Sequence, residues 1–160
     1  MDAFFKSILW AQFGAAIDML ENAMRACPDA LWTGSRFWYI SYHTLFFLDF
    51  YLSDPADAFA PPAPFTLDEL DPAGLLPDRP YTKEELQAYL DHGRKKCRAV
   101  IEALTEEKAR GRRDFGFLDL TFAELLLYTM RHVQHHAGQL NLILRQQTDA
   151  APRWVRQALP

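Results

Sequence analysis

The chain has 160 residues, of which 49% are hydrophobic and 24% charged, and carries a net charge of −4 at pH 7. That is one domain's length with an ordinary globular balance, which excludes a disordered chain. The acidic excess argues against a bulk binder of nucleic acid or of an anionic membrane. Its longest apolar stretch, Trp38 to Leu52, is interrupted by Ser41, His43 and Asp49 and falls short of a membrane span. The opening residues lack a basic segment followed by a long apolar run, so no signal peptide is expected. Two cysteines, Cys27 and Cys97, without CxxC spacing, exclude a disulfide scaffold and predict a reducing, cytoplasmic setting.

In chain order, a first helix is predicted from about Ala3 to Cys27, with Phe5, Ile8, Leu9, Phe13, Ala16, Ile17 and Leu20 on its apolar face. Pro28 ends it, because proline cannot continue the hydrogen-bond ladder. A second helix opens near Ser35 and runs to about Ser53; it is apolar nearly all round and predicts deep burial. Seven of the ten prolines lie between Pro55 and Pro80 and mark a long connection. A capping box, Thr82 with Glu85, starts a third helix whose apolar face holds Leu86, Tyr89, Leu90, Cys97, Val100, Ile101 and Leu104. A second box, Thr121 with Glu124, starts a fourth helix that reaches about Gln147. Short connections predict antiparallel hairpins for the first and second helices and for the third and fourth. The expected fold is all-α: a single domain over 1–160, an up-down-down-up four-helix bundle with a proline-rich crossover between the second and third helices. The tail either packs Trp154 or frays.

Histidines carry the chemistry. On the fourth helix, His132 and His136 are four apart, about 40° from each other, so both imidazoles can reach one point. His135 lies about 60° to the other side of His132 and is the weaker candidate. His43 sits within Tyr-His-Thr-Leu-Phe-Phe-Leu, where a histidine is costly without a partner. Neutral imidazoles that donate lone pairs to a divalent cation are satisfied, and three protein ligands leave room for water or substrate. His92 reads as solvated, and Cys97 as a small core hydrophobe. Tyr39 and Phe47 flank His43 by one turn each way, and Tyr128 and Gln139 flank the fourth-helix pair. Gln139 is a candidate to orient a ligand histidine, and Phe47 reads as core. Asp49 is about 120° off the His43 face, so no carboxylate is placed beside the site.

The stretch Arg-His-Val-Gln-His-His-Ala-Gly-Gln-Leu, Arg131 to Leu140, with Ala-Glu-Leu-Leu-Leu-Tyr-Thr-Met before it and His43 on the second helix, resembles the DinB/YfiT-like superfamily. The resemblance implies a four-helix bundle in which His43, His132 and His136 hold a divalent metal, usually zinc or nickel. It further implies a small-molecule reaction such as transfer of a low-molecular-weight thiol or metal-dependent hydrolysis, and a homodimer. Two positions depart from the family pattern: Arg131 stands where Asn is common, and Ala137 where a basic residue is common.

No Glu-x-x-His, HExxH, GxSxG or phosphate-binding glycine loop is present. Basic clusters at Arg94-Lys95-Lys96 and Arg110 to Arg113 lack interleaved aromatics and read as solvated, so no nucleic-acid partner is expected. Three classes remain: a metal-dependent thiol transferase, a metal-dependent hydrolase, and a non-catalytic metal-binding bundle. The lack of a placed general base favours the first. Gly138, inside the fourth helix, predicts close approach by another backbone, within the chain or across a subunit boundary.

Overall fold

The computed structural model describes residues 1–159. Four long helices carry the core: α1 (Ala3–Ala26), α3 (Phe37–Tyr51), α4 (Lys83–Glu102) and α6 (Phe122–Thr148). Two short helices, α2 (Asp29–Gly34) and α5 (Glu106–Arg110), and a hairpin of β1 (Arg112–Asp114) with β2 (Asp119–Thr121) fill connections. Both predicted capping boxes are present: the Thr82 and Thr121 side chains accept from the Glu85 and Glu124 amides, and each glutamate bonds back. Asp2 caps α1 in the same way, accepting from the Phe5 amide at 2.7 Å. The predicted apolar face of α1 is buried from Leu9 onward, but Phe5 and Ile8 are exposed. Lys6 reaches the last carbonyl of α4, at Glu102, so the residues before it stand beyond that helix.

The expected short link between the third and fourth long helices is wrong. Residues 103–121 hold α5 and the hairpin, paired Arg112 with Thr121 and Asp114 with Asp119. Nor do helices adjacent in sequence form packed hairpins. The helix α1 packs on α4 and α6, and α3 packs on the same two, which leaves α1 opposite α3 and α4 opposite α6. Along α1 and α4 the contacts run in opposite senses, with Lys6 at Glu102 and Glu21 at Arg94 and Gln87. Those of α3 and α4 run in the same sense, Tyr42 meeting Tyr81 and Ser53 meeting Lys96. Between α3 and α6 they are again opposed, His43 meeting His136 and Tyr51 meeting Tyr128.

The helix α3 is buried on most of its circumference, as its composition predicts. Its Ser41 and Thr44 hydroxyls are satisfied by the carbonyls one turn back, Phe37 and Ile40. Its one buried charge, Asp49, accepts from Tyr89 Oη at 3.1 Å, Lys96 Nζ at 2.5 Å and His92 Nε2 at 3.3 Å. His92 is therefore not merely solvated, although 45% of its side chain is exposed. Residues 52–82 run from α3 to α4 with one 3-10 turn, Asp68–Leu70. That segment is anchored by Phe65 stacked on Tyr89 at 4.2 Å and by Tyr81, whose carbonyl accepts from Trp32.

The tail packs, but not through Trp154, which is 67% exposed. Ala158 is buried instead, its amide donating to the Ala11 carbonyl at 2.8 Å, and Trp10 Nε1 donates to the Leu159 carbonyl at 3.1 Å. A Cβ at Gly14 would lie 2.6 Å from the Ala158 Cβ, so the close approach that requires glycine is on α1. A Cβ at Gly138 would meet nothing within 4 Å, and no close approach within this chain explains that residue.

Candidate metal centre

His43 on α3 and His132 and His136 on α6 bring one ring nitrogen each to a common point, all within 4.8 Å of one another. His132 Nε2 lies 3.3 Å from His43 Nε2 and 3.1 Å from His136 Nε2. The i, i+4 spacing puts the α6 pair on one face, and the opposed packing of α3 brings His43 to it. His135, the weaker candidate on angle, is exposed and outside the cluster, its ring 5.0 Å from that of His136.

The outer ring nitrogens define the tautomers. Glu69 Oε2 lies 2.7 Å from His43 Nδ1, and an ionised carboxylate only accepts, so Nδ1 carries the proton. Likewise His136 Nδ1 donates to Gln139 Oε1 at 2.7 Å. Both histidines then aim Nε2 lone pairs inward at His132. His132 can donate from Nε2 to one of them, but its buried Nδ1 has no partner among the described residues. With the His132 proton on Nδ1 instead, three lone pairs converge, and they repel unless a cation is shared among them. A tetrahedral ion with metal–nitrogen bonds of about 2.0–2.1 Å needs ligand nitrogens about 3.3 Å apart; the two edges at His132, 3.1 and 3.3 Å, match that, and the third lies within 4.8 Å. These residues could hold a divalent ion.

Sequence reasoning placed no carboxylate beside the site, and that expectation is corrected by Glu69. Its side chain is 4% exposed and comes from the 3-10 turn of the connecting segment. A histidine in an apolar helix announces a need for a partner, but nothing in Leu-Asp-Glu-Leu marks the residue that meets it. Tyr39 stands beside Glu69, and burial together with that carboxylate pushes its hydroxyl up to about 12. Phe47 is more than core: its ring lies 4.9 Å from His43 and 5.7 Å from His132 and forms a wall of the cluster. Tyr128 packs on Tyr51, whose ring meets His132 at 6.3 Å.

Burial, reinforced by His136, His43 and His135, pushes His132 down to about 3, and burial lowers His136 as well. His132 therefore stays neutral, ready to ligate, well below the ordinary imidazole range, and His136 is shifted in the same direction. In the unfolded chain His132 takes up its proton near pH 6.5, whereas the folded chain resists it down to about 3. The metal-free protein should thus lose stability as pH falls through that window. Thermal melts between about pH 7.5 and 4.5 should show a steeper fall in Tm for wild type than for His132→Ala; equal slopes would contradict the burial argument.

The class is thus a mostly helical protein with three convergent histidines on two helices that could hold a metal ion. The DinB superfamily matches residues 12–140, and the chain belongs to that superfamily. No curated protein and no solved structure matches it significantly.

Proposed function

We propose that the protein is a metal-dependent enzyme, built as an up-down-down-up bundle, in which His43, His132 and His136 hold zinc or nickel and a low-molecular-weight thiol is transferred to an electrophilic small molecule. The observation that carries the reading is the inward aim of three Nε2 atoms, two of them locked by Glu69 and Gln139. A divalent cation bound there supplies a Lewis acid that lowers the pKa of a thiol. The chain's own residues do the rest. Glu69 and Gln139 fix ring orientation and tautomer, Phe47 keeps one side dry, and the remaining side is left to reactants. Neither cysteine is available as an internal nucleophile, since both are buried and burial raises Cys27 to about 11 and Cys97 further still. The thiol must therefore come from outside.

Hydrolysis is supported less well. Glu69 bonds the far edge of the His43 ring through Oε2 and is buried there, which makes it an orienting group for that ring, while its Oε1 has no partner among the described residues. Metal analysis of protein purified without a polyhistidine tag, followed by a thiol-transfer screen, tests the reading. One metal per chain with thiol-dependent turnover is expected; ester or amide hydrolysis without thiol would favour the hydrolase, and metal with neither activity a non-catalytic bundle. Glu69→Gln is expected to weaken metal affinity by about 10–100-fold while leaving the fold intact, as loss of an outer-shell carboxylate does elsewhere. Unchanged affinity in a titration with a chromogenic competitor would remove Glu69 from the site.

No described helix is long and apolar enough to cross a membrane. The proposed setting is the cytoplasm, where both cysteines stay as thiols. The basic clusters are largely consumed in ion pairs: Arg94 with Asp18 and Glu21, Lys96 with Asp49, Arg112 with Asp119, Arg113 with Asp54. That supports a reading without nucleic acid. A homodimer through the outer face of α6 would account for Gly138, which is exposed between the exposed Leu127 and Leu142. Sedimentation should then show a dimer that Gly138→Leu weakens. A monomer at high micromolar concentration, stabilised by about 0.5–1 kcal/mol in Gly138→Ala, would exclude it.

A further inference from the structure

Beside the cluster, a depression of about 450 Å³ is lined by Tyr128, Arg131, His132, Gln134 and His135. That volume suits a small molecule. Every one of these side chains can donate a hydrogen bond and none is a carboxylate, in a chain where Asp and Glu number 21 against 17 Lys and Arg. The depression shares His132 with the candidate metal centre, so a molecule seated in it lies against a ligand ring.

Arg131 distinguishes this wall. Many guanidinium groups are tied to acids, such as Arg79 to Glu85, Arg94 to Asp18 and Glu21, Arg112 to Asp119 and Arg113 to Asp54; among the described residues Arg131, like Arg36, Arg145, Arg153 and Arg156, is not, and of these it alone lines this depression. Arg131 is exposed and meets no carboxylate among the described residues, so its charge is not used by the folded chain. A guanidinium presents a planar fork that matches a carboxylate through two parallel hydrogen bonds. Phosphate sites typically add free backbone amides at a helix N-terminus, and Arg131 lies in the interior of α6, where those amides are engaged. One fixed cation with neutral donors around it suits a monoanion.

We propose that this depression is a carboxylate-binding subsite anchored by Arg131, so that one reactant at the metal centre is a small carboxylate-bearing molecule. The inference rests on reading the three histidines as a metal site. The carboxylate can belong to the thiol or to its electrophilic partner, and the experiment separates the two.

Zinc-loaded full-length protein is titrated calorimetrically with propionate, its neutral isostere propionamide, inorganic phosphate, 3-mercaptopropionate and 2-mercaptoethanol, in wild type and in Arg131→Gln and Arg131→Lys, with zinc content measured in each. Propionate should bind wild type, propionamide should not, and Arg131→Gln should weaken propionate at least tenfold with zinc retained. Arg131→Lys should fall between. A clear preference for 3-mercaptopropionate over 2-mercaptoethanol assigns the carboxylate to the thiol, and equal affinities assign it to the electrophile; both outcomes support the subsite. Propionate binding that survives Arg131→Gln, phosphate binding tighter than propionate, or no propionate binding with zinc present overturns the subsite alone. A wild type that holds no zinc overturns the metal reading and this inference together.

Discussion

His132→Ala is expected to abolish stoichiometric metal binding. His132 Nε2 is the common neighbour of the other two ligand atoms, at 3.3 and 3.1 Å, so its removal leaves two nitrogens with no third member between them. Structural zinc sites bind with about 10–16 kcal/mol from four ligands, so one ligand is worth roughly 3 kcal/mol, or a hundredfold or more in affinity. The variant should keep its helix content by circular dichroism, since the lost ring leaves no hydrogen-bond partner of its Nδ1 behind. His135→Ala provides the contrast: that ring is exposed outside the cluster, and metal content should hold near one per chain. Elemental analysis after dialysis decides it. Loss of metal in His135→Ala with retention in His136→Ala would show that the wrong histidine has been assigned.

Asp49→Ala should destabilise the fold by about 3 kcal/mol. Asp49 is buried at the contact of α3 with α4, and its carboxylate accepts from Lys96, Tyr89 and His92. Truncation takes the carboxylate from the Lys96 ammonium, which is only 26% exposed and keeps just the neutral Asp49 carbonyl and Ser53 Oγ, and leaves the Tyr89 hydroxyl without its acceptor. Removing one member of a buried ion pair typically costs about 3–5 kcal/mol, and the partial exposure of Lys96 places this case at the low end. Since α3 also carries His43, the same variant should bind metal less tightly in proportion to its loss of stability. Urea unfolding checks the first effect; a change below about 1 kcal/mol would mean the network contributes no net stability.

Helix beginnings were readable because capping is local. Thr82 with Glu85 and Thr121 with Glu124 satisfy orphan amides within one turn, and the residues that do so are three apart in the chain. Pro28 stops α1 for an equally local reason. The pairing of His132 with His136 follows from helix pitch alone, and the rejection of His135 from the same angle. His43 was legible as a histidine in need of a partner within an apolar helix.

Glu69 was not legible, because it reaches His43 across 26 residues from an irregular segment with no period to read. The 103–121 connection read as a short link, and only the packed chain reveals the hairpin and α5 that occupy it. Two of the three glycines inside the long helices make the same point. Gly14 and Gly138 carry the same local cost in a helix, yet Gly14 is pressed by Ala158 from the far end of the chain and Gly138 faces open space.

What the amino-acid sequence determined by itself was the set of long helices, their starts, and the three histidines able to share one point, since pitch and capping act over three or four residues. Tertiary structure alone decided which helices touch, that α1 lies opposite α3, that Asp49 meets Lys96, and that Glu69 fixes the tautomer of His43. Those outcomes depend on contacts between residues tens of positions apart, whose geometry exists only once the core has been packed and water excluded from it.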